Sequence, residues 1–130
     1  MLQDPWNPQS EEIRAWAFEP DSIWPDQDFD LSVAELHFAD LIIELSCDAR
    51  CPKKDFFLSC AYIIVGDAVM TEYETRSKTE VEQFLQQLKA TNNERLLTLY
   101  KLAKELVATP SSFDYDFWCG EGCLAQYKES

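Results

Sequence analysis

Two long apolar segments follow each other between Leu31 and Met70 and dominate the hydropathy pattern of the chain. The first segment is interrupted by polar residues at spacings of three, four and four, which is one side of a 3.6-residue period. A helix with so narrow a polar strip is mostly buried, so the pattern predicts a central helix over 31–49. The polar strip consists of His37, Asp40, Glu44 and Asp48.

The second apolar segment predicts another central helix, over 52–72. Between Phe56 and Met70 the apolar character is broken at three positions only, Ser59, Gly66 and Asp67. A strand is an alternative for 60–65, because CAYIIV is rich in residues that favour strands. Helix is favoured because the segment is long and no hairpin turn signal follows it.

Two amphipathic helices follow the apolar pair, over 77–91 and 93–108. The first has apolar residues at i, i+3, i+4 and i+7, the strongest helical signal in the chain. Asn92-Asn93 separates the two helices, and Pro110 ends the second. The apolar residues of the first are Val81, Phe84, Leu85 and Leu88.

Capping residues mark several of the predicted helix starts. Ser32 with Glu35, and Ser77 with Glu80, have the spacing of a capping box, in which each side chain accepts a free backbone N–H of the first turn. The pair Asn92-Asn93, and Ser10, can cap in the same way, and Pro52 suits a first helical position. These signals predict helix starts near 10, 31, 52, 77 and 93.

Length and composition favour one all-α domain. A chain of 130 residues is one domain by the usual size range, and three glycines are few for an all-β fold. The longest apolar windows contain acidic residues and are too interrupted to cross a bilayer. The predicted architecture is a single-domain bundle over 1–130 with four main helices (about 31–49, 52–72, 77–91 and 93–108), short flanking helices near 10–18 and 112–119, and flexible ends at 1–8 and 128–130.

The net charge of −13 is concentrated in the N-terminal third. Residues 1–40 carry ten carboxylates and one arginine, a net of −9. Such a field repels nucleic-acid phosphates and attracts basic surfaces, so the predicted partner is a basic protein and not a nucleic acid or a membrane. The candidate partner-binding residues are Asp21, Asp26, Asp28 and Asp30.

The acidic residues at 26, 28 and 30 also resemble the start of a calcium loop. That loop needs glycine at its sixth position and glutamate at its twelfth. Leu31 and His37 stand there instead, so a solvated acidic loop is favoured over a calcium site.

Five cysteines form two C-x-x-x-C pairs, Cys47/Cys51 and Cys119/Cys123, plus Cys60. The odd count, and an N-terminus without the basic and apolar regions of a signal peptide, predict reduced thiols and a cytoplasmic protein. Four thiolates could bind zinc or sense redox state. The usual zinc spacing is C-x-x-C, so core packing is favoured and a zinc site is the alternative.

Asp67, His37 and Asp40 are the candidate buried polar residues. Asp67 stands among apolar residues, which predicts a partner such as an arginine, a helix end or a tryptophan N–H. His37, the single histidine, excludes a multi-histidine metal site and could contact Asp40 one turn away. Gly66 predicts the close approach of another helix.

The aromatic tail predicts a strap that closes the core. Large aromatic side chains bury much area, which favours a strap over a free docking segment. Its aromatic residues are Phe113, Tyr115, Phe117 and Trp118.

The sequence contains no phosphate loop, nucleophile elbow or kinase motif, so no catalytic residue is assigned. The favoured function is a non-enzymatic, acidic helical interaction protein that neutralises or regulates a basic partner, as bacterial immunity proteins do. The first alternative is a cysteine-based zinc or redox-sensing protein. The second is a small enzyme with an acid at Asp67.

Overall fold

The computed structural model describes residues 9–19, 33–74 and 76–113. Within these ranges the chain has helices and no strand, which confirms the predicted all-α class. None of the helices described there combines the length and apolar character needed to cross a membrane. The described α-helices are α1 (Ser10–Ala17), α2 (Ala39–Cys47), α3 (Lys54–Met70), α4 (Lys78–Ala90) and α5 (Glu94–Ala108), with 3₁₀ turns at Leu36–Phe38 and Pro110–Ser112.

Helix α3 is the centre of the core. Twelve of its seventeen residues are buried, so it is apolar on nearly every side and needs cover all round. Helices α2, α4 and α5 supply that cover, and Trp16 of α1 meets Phe56 edge to face with ring centroids 4.8 Å apart. Residues 60–65 lie inside this helix, which excludes the strand alternative.

The short connections make consecutive helices run in opposite directions from α2 to α5. Helices α3 and α5 therefore begin at the same end, where Nη2 of Arg95 lies 2.6 Å from Oδ1 of Asp55. Helices α2 and α4 also share a direction, and Nε2 of Gln87 donates to Oδ1 of Asp40 across the gap between them at 3.3 Å.

Two of the predicted caps are confirmed. Oγ of Ser77 accepts from the backbone N–H of Glu80 at 3.5 Å, and Oδ1 of Asn93 accepts from the backbone N–H of Arg95 at 2.9 Å. Two other helix starts are shifted from their predicted positions. Gln9 rather than Ser10 precedes α1, and α3 begins at Lys54, which leaves Pro52 in the preceding turn.

The first central helix begins later than predicted, at Ala39 instead of 31. Glu35 is extended, with φ −128° and ψ 144°, so the predicted capping box is wrong; Ser32 itself lies outside the described residues. The physical reason is a competing donor. Nη2 of Arg76 donates to the carbonyl of Ala34 at 2.6 Å. The N–H of Phe38 donates to the carbonyl of Glu35, which begins a 3₁₀ turn.

A left-handed turn ends α3 and positions Tyr73. The N–H of Tyr73 donates to the carbonyl of Ala68 at 2.7 Å, and that of Glu72 donates to Val69 at 3.2 Å. This is the hydrogen-bond pattern of a Schellman motif, which usually has glycine at the left-handed position. Here Glu72 and Tyr73 have φ values of 55° and 65°. The turn therefore places Tyr73 at the expense of conformational strain in the backbone of two non-glycine residues.

Phe113, the last described residue, closes the core over Gly66. Its ring stacks on Tyr62 with centroids 5.3 Å apart and planes 22° apart. A Cβ on Gly66 would overlap the Phe113 ring, so the close approach is made by an aromatic side chain and not by the predicted helix. The described start of the predicted 112–119 helix is a 3₁₀ end followed by extended backbone; the other strap aromatics lie outside the described residues.

We expect Gly66→Ala to lower the free energy of unfolding by about 1–3 kcal/mol, because the methyl group overpacks the Phe113 ring. In a Phe113→Ala background the same change should be neutral or stabilising, since alanine is normally the better helix residue by about 0.5–1 kcal/mol. Denaturant melts of the four proteins give the coupling energy. An equal cost in both backgrounds would contradict the contact.

Candidate functional site

The candidate site is a polar groove between the first 3₁₀ turn with α2 on one side and α4 on the other. Two adjoining cavities form it, of about 390 Å³ and 340 Å³, and they share Asp40 and Gln87. We call this surface the acidic groove. The polar side chains that define it are His37, Asp40, Glu44, Glu80, Gln83 and Gln87.

The groove arises because two exposed helix strips face the same gap. Asp40 and Glu44 are one turn apart on the polar strip of α2, whose other side is buried. Glu80, Gln83 and Gln87 repeat at three and four residues along α4, beside its buried stripe. Because the two helices share a direction, the two strips run side by side.

The groove is negative. The described residues that line it include three carboxylates, Asp40, Glu44 and Glu80, and neither lysine nor arginine. Arg14 of α1 donates to the carboxylate of Glu44 from outside the lining, and this hydrogen bond lowers the pKa of Glu44. Glu44 therefore stays ionised at neutral pH, but Arg14 offsets its charge, so the negative field of the groove comes mainly from Asp40 and Glu80.

His37 and Asp40 lie together in this groove, but they are exposed rather than buried as predicted. The His37 ring contacts the neighbouring ring of Phe38, with centroids 4.1 Å apart. Asp40 accepts its hydrogen bond from Gln87 on α4. His37 and Asp40 are not neighbours on one helix as predicted, because α2 begins at Ala39 and His37 belongs to the preceding 3₁₀ turn.

Asp67 was predicted to be buried, and that is wrong, since its side chain is 43% exposed. The predicted arginine partner is found. Arg76 is only 10% exposed, forms an ion pair with Asp67, and has Nη2 3.8 Å from Oε2 of Glu35. Together with its bond to Ala34, these contacts fix the 33–35 segment against the end of α3. In this ion pair the more buried charge is therefore that of Arg76, and not that of Asp67 as predicted.

The described cysteines are packed as core thiols. Cys47 is half-buried at the end of α2, Cys60 is buried, and Sγ of Cys51 is buried and donates to the carbonyl of Ala17 at 3.7 Å. Burial raises the pKa of the Cys47 and Cys51 thiols, which disfavours the thiolate that binds metal. Cys119 and Cys123 lie outside the described residues, so the four-thiol hypothesis stays a prediction. Among the residues described, no group of three or more His, Cys, Asp or Glu could hold a metal ion.

Lys53 joins the turn before α3 to the end of α1, a contact that no sequence pattern predicted. Its Nζ donates to the carbonyls of Trp16, at 2.5 Å, and of Glu19, and it lies 4.3 Å from the centre of the Trp16 ring. Burial lowers the pKa of this lysine. With Cys51 it fixes the end of α1 to the turn between α2 and α3, so α1 is held beside the acidic groove.

The sequence analysis also did not find the α4 side of the groove, at Glu80, Gln83 and Gln87. The spacing of these residues on the polar side of α4 was visible, but which helix they would face was not. The candidate partner-binding residues Asp21, Asp26, Asp28 and Asp30 lie outside the described residues.

No protein-family model matches the chain, and neither a curated protein nor a solved structure does.

We expect Arg76→Ala to lower the free energy of unfolding by about 1–3 kcal/mol, because it leaves the Ala34 carbonyl and two carboxylates without this donor. Asp67→Ala should cost about 1 kcal/mol or less, since Arg76 keeps its contacts to the 33–35 segment and the carboxylate is half exposed. Denaturant melts measure both.

The matched control for this comparison is Arg50→Ala, because Arg50 pairs with Asp48 on the open surface. That change should leave the denaturant midpoint close to that of the wild type, because surface ion pairs contribute little to stability. If Arg76→Ala costs no more than Arg50→Ala, the clamp on the 33–35 segment does not contribute to stability.

We expect Cys47 to react with iodoacetamide more slowly than the same cysteine in the urea-unfolded chain. Its raised pKa leaves a smaller thiolate fraction at any given pH, so the rate should rise only above the pH at which an ordinary thiol titrates. Mass spectrometry of alkylated peptides across a pH series measures this. Equal rates in the folded and unfolded chains at neutral pH would contradict the raised pKa of Cys47, and a faster rate in the folded chain would identify an activated thiol.

Proposed function

We propose that this protein is a non-enzymatic interaction protein that binds a basic protein partner and regulates or neutralises it. The observation that carries the proposal is the acidic groove, where three exposed carboxylates line one continuous surface without a lining lysine or arginine among the described residues.

Helix α1 extends the same negative surface. It lies beside α2, to which Arg14 ties it through Glu44, and exposed carboxylates stand at Glu11 in the helix and at Glu19 just after it. The candidate residues at 21, 26, 28 and 30 follow this helix directly in the sequence. The proposal therefore includes them as part of the partner-binding surface.

The chemistry of the groove suits arginine and lysine side chains. Ionised carboxylates accept charge-assisted hydrogen bonds, which are about twice as strong as neutral ones. Gln83 and Gln87 offer amide groups that can bond to the backbone or side chains of a partner. A negative field of this kind accelerates the encounter with a basic surface and disfavours acidic partners.

The test uses the double variant Asp40→Lys/Glu80→Lys. Partners are captured from the source cell on immobilised full-length chain at low salt, released by raising the salt, identified and purified. We expect the double variant to bind the purified partner with an association rate about tenfold lower at low salt, because rim charges act mainly on the encounter. The difference should shrink as salt screens the field.

The matched control is Glu74→Lys/Glu105→Lys, which makes the same change of charge at exposed positions outside the acidic groove. Its association rate should stay close to that of the wild type. Equal losses in the two double variants would show that net charge, and not the groove, governs binding. If no captured protein is released by raising the salt, the proposed function is contradicted.

A further inference from the structure

A second groove lies on the other side of α4, between α4 and α5. Its cavity of about 520 Å³ falls in the range of sites that hold ligand-sized groups. Leu85 and Val107 form apolar parts of its wall, and Tyr73 and Tyr100 are half-buried beside them. We call this surface the tyrosine groove.

The two tyrosines are placed by different parts of the fold. Tyr73 is held by the left-handed turn at the end of α3, and Tyr100 by α5. Val107 is two turns after Tyr100 on the same helix, about 10 Å along its axis, so the groove extends along α5. Half-buried tyrosines around an apolar floor are typical of the residues that dominate binding energy in protein interfaces.

The tyrosine groove carries positive charge in a chain whose net charge is −13. Lys104 lines it. The Nζ atom of Lys78 lies 5.9 Å from the ring centre of Tyr73, and that of Lys89 lies 5.9 Å from the ring centre of Tyr100. Glu82 is the acidic residue in its lining. Lys104 and Glu82 balance within the lining, so the positive charge comes from Lys78 and Lys89 beside the two rings. Gln83 of α4 lines both this groove and the acidic groove.

We propose that the tyrosine groove docks an acidic amphipathic helix of a partner protein. Its apolar side chains enter between Tyr73 and Tyr100, and its carboxylates meet Lys104 and the lysines above the tyrosine rings. A cleft between two helices with an apolar floor accepts a helix by its i, i+3, i+4 and i+7 side chains. The lysines select an acidic helix and repel a basic one. This inference is independent of the acidic groove.

The test uses the full-length chain and a fluorescein-labelled synthetic peptide of roughly four helical turns, with leucine on one face and glutamate on the other. A second peptide has lysine in place of each glutamate. We expect saturable binding of the glutamate peptide by fluorescence anisotropy. Lys104→Glu and Tyr100→Ser should each raise its Kd about tenfold, the loss of roughly one good contact.

The matched control is Lys101→Glu, which reverses an exposed charge on the same helix, three residues from Lys104 and outside the groove. It should change the Kd less than about threefold, because Lys101 does not line the groove. Circular dichroism melts confirm that each variant is folded. Equal effects of Lys101→Glu and Lys104→Glu, equal binding of the lysine peptide, or no saturable binding would overturn the proposal.

Two other occupants are separate outcomes. Sedimentation of the wild type without peptide would reveal a second copy in the groove, as a dimer that Lys104→Glu dissociates. Zero-length cross-linking of Lys104 to a carboxylate within 1–8, 20–32 or 114–130, with loss of peptide binding, would place that segment of this protein there. Either result would overturn the partner helix as the occupant.

Discussion

The burial of α3 is the constraint on which the rest of the structure depends. This helix is apolar on nearly every side, and each large side chain that it buries contributes about 1.5–3 kcal/mol relative to exposure. One neighbour cannot cover it, so α2, α4, α5 and the Phe113 ring all pack against it. The grooves are a consequence, because short helices arranged round a longer one leave clefts where their exposed sides diverge.

Polar ties decide how the covering segments sit on the core. Arg76 fixes the 33–35 segment by its bond to Ala34, and Lys53 fixes the end of α1 by its bonds to Trp16 and Glu19. Both side chains reach across more than thirty residues of chain to donate to a backbone carbonyl. Neither bond follows from a local pattern, yet together they set the start of α2 and the position of α1 beside it.

Helix α4 separates the acidic groove from the tyrosine groove, which has lysines beside its two aromatic rings. Glu80 and Gln87 face α2 and belong to the acidic groove, whereas Glu82 and Gln86 face α5 and its Lys104. Because Gln83 lines both grooves, a partner that covers the exposed ridge of α4 would meet both fields at once. Such an arrangement would set the orientation of a bound partner, since rotation of the partner would bring like charges together.

The sequence by itself determined the helical class, the two caps at Ser77 and Asn93, and the central position of the second apolar segment, because periodicity and capping are local properties. It also indicated that Asp67 needs a partner, with an arginine as one of three alternatives. Only the tertiary structure decided that this arginine is Arg76, that α2 begins at Ala39, and that Gly66 faces a ring rather than a helix. It alone brought the polar strips of α2 and α4 together, because pairing between helices depends on contacts between residues that are distant in the chain, and these leave no local pattern.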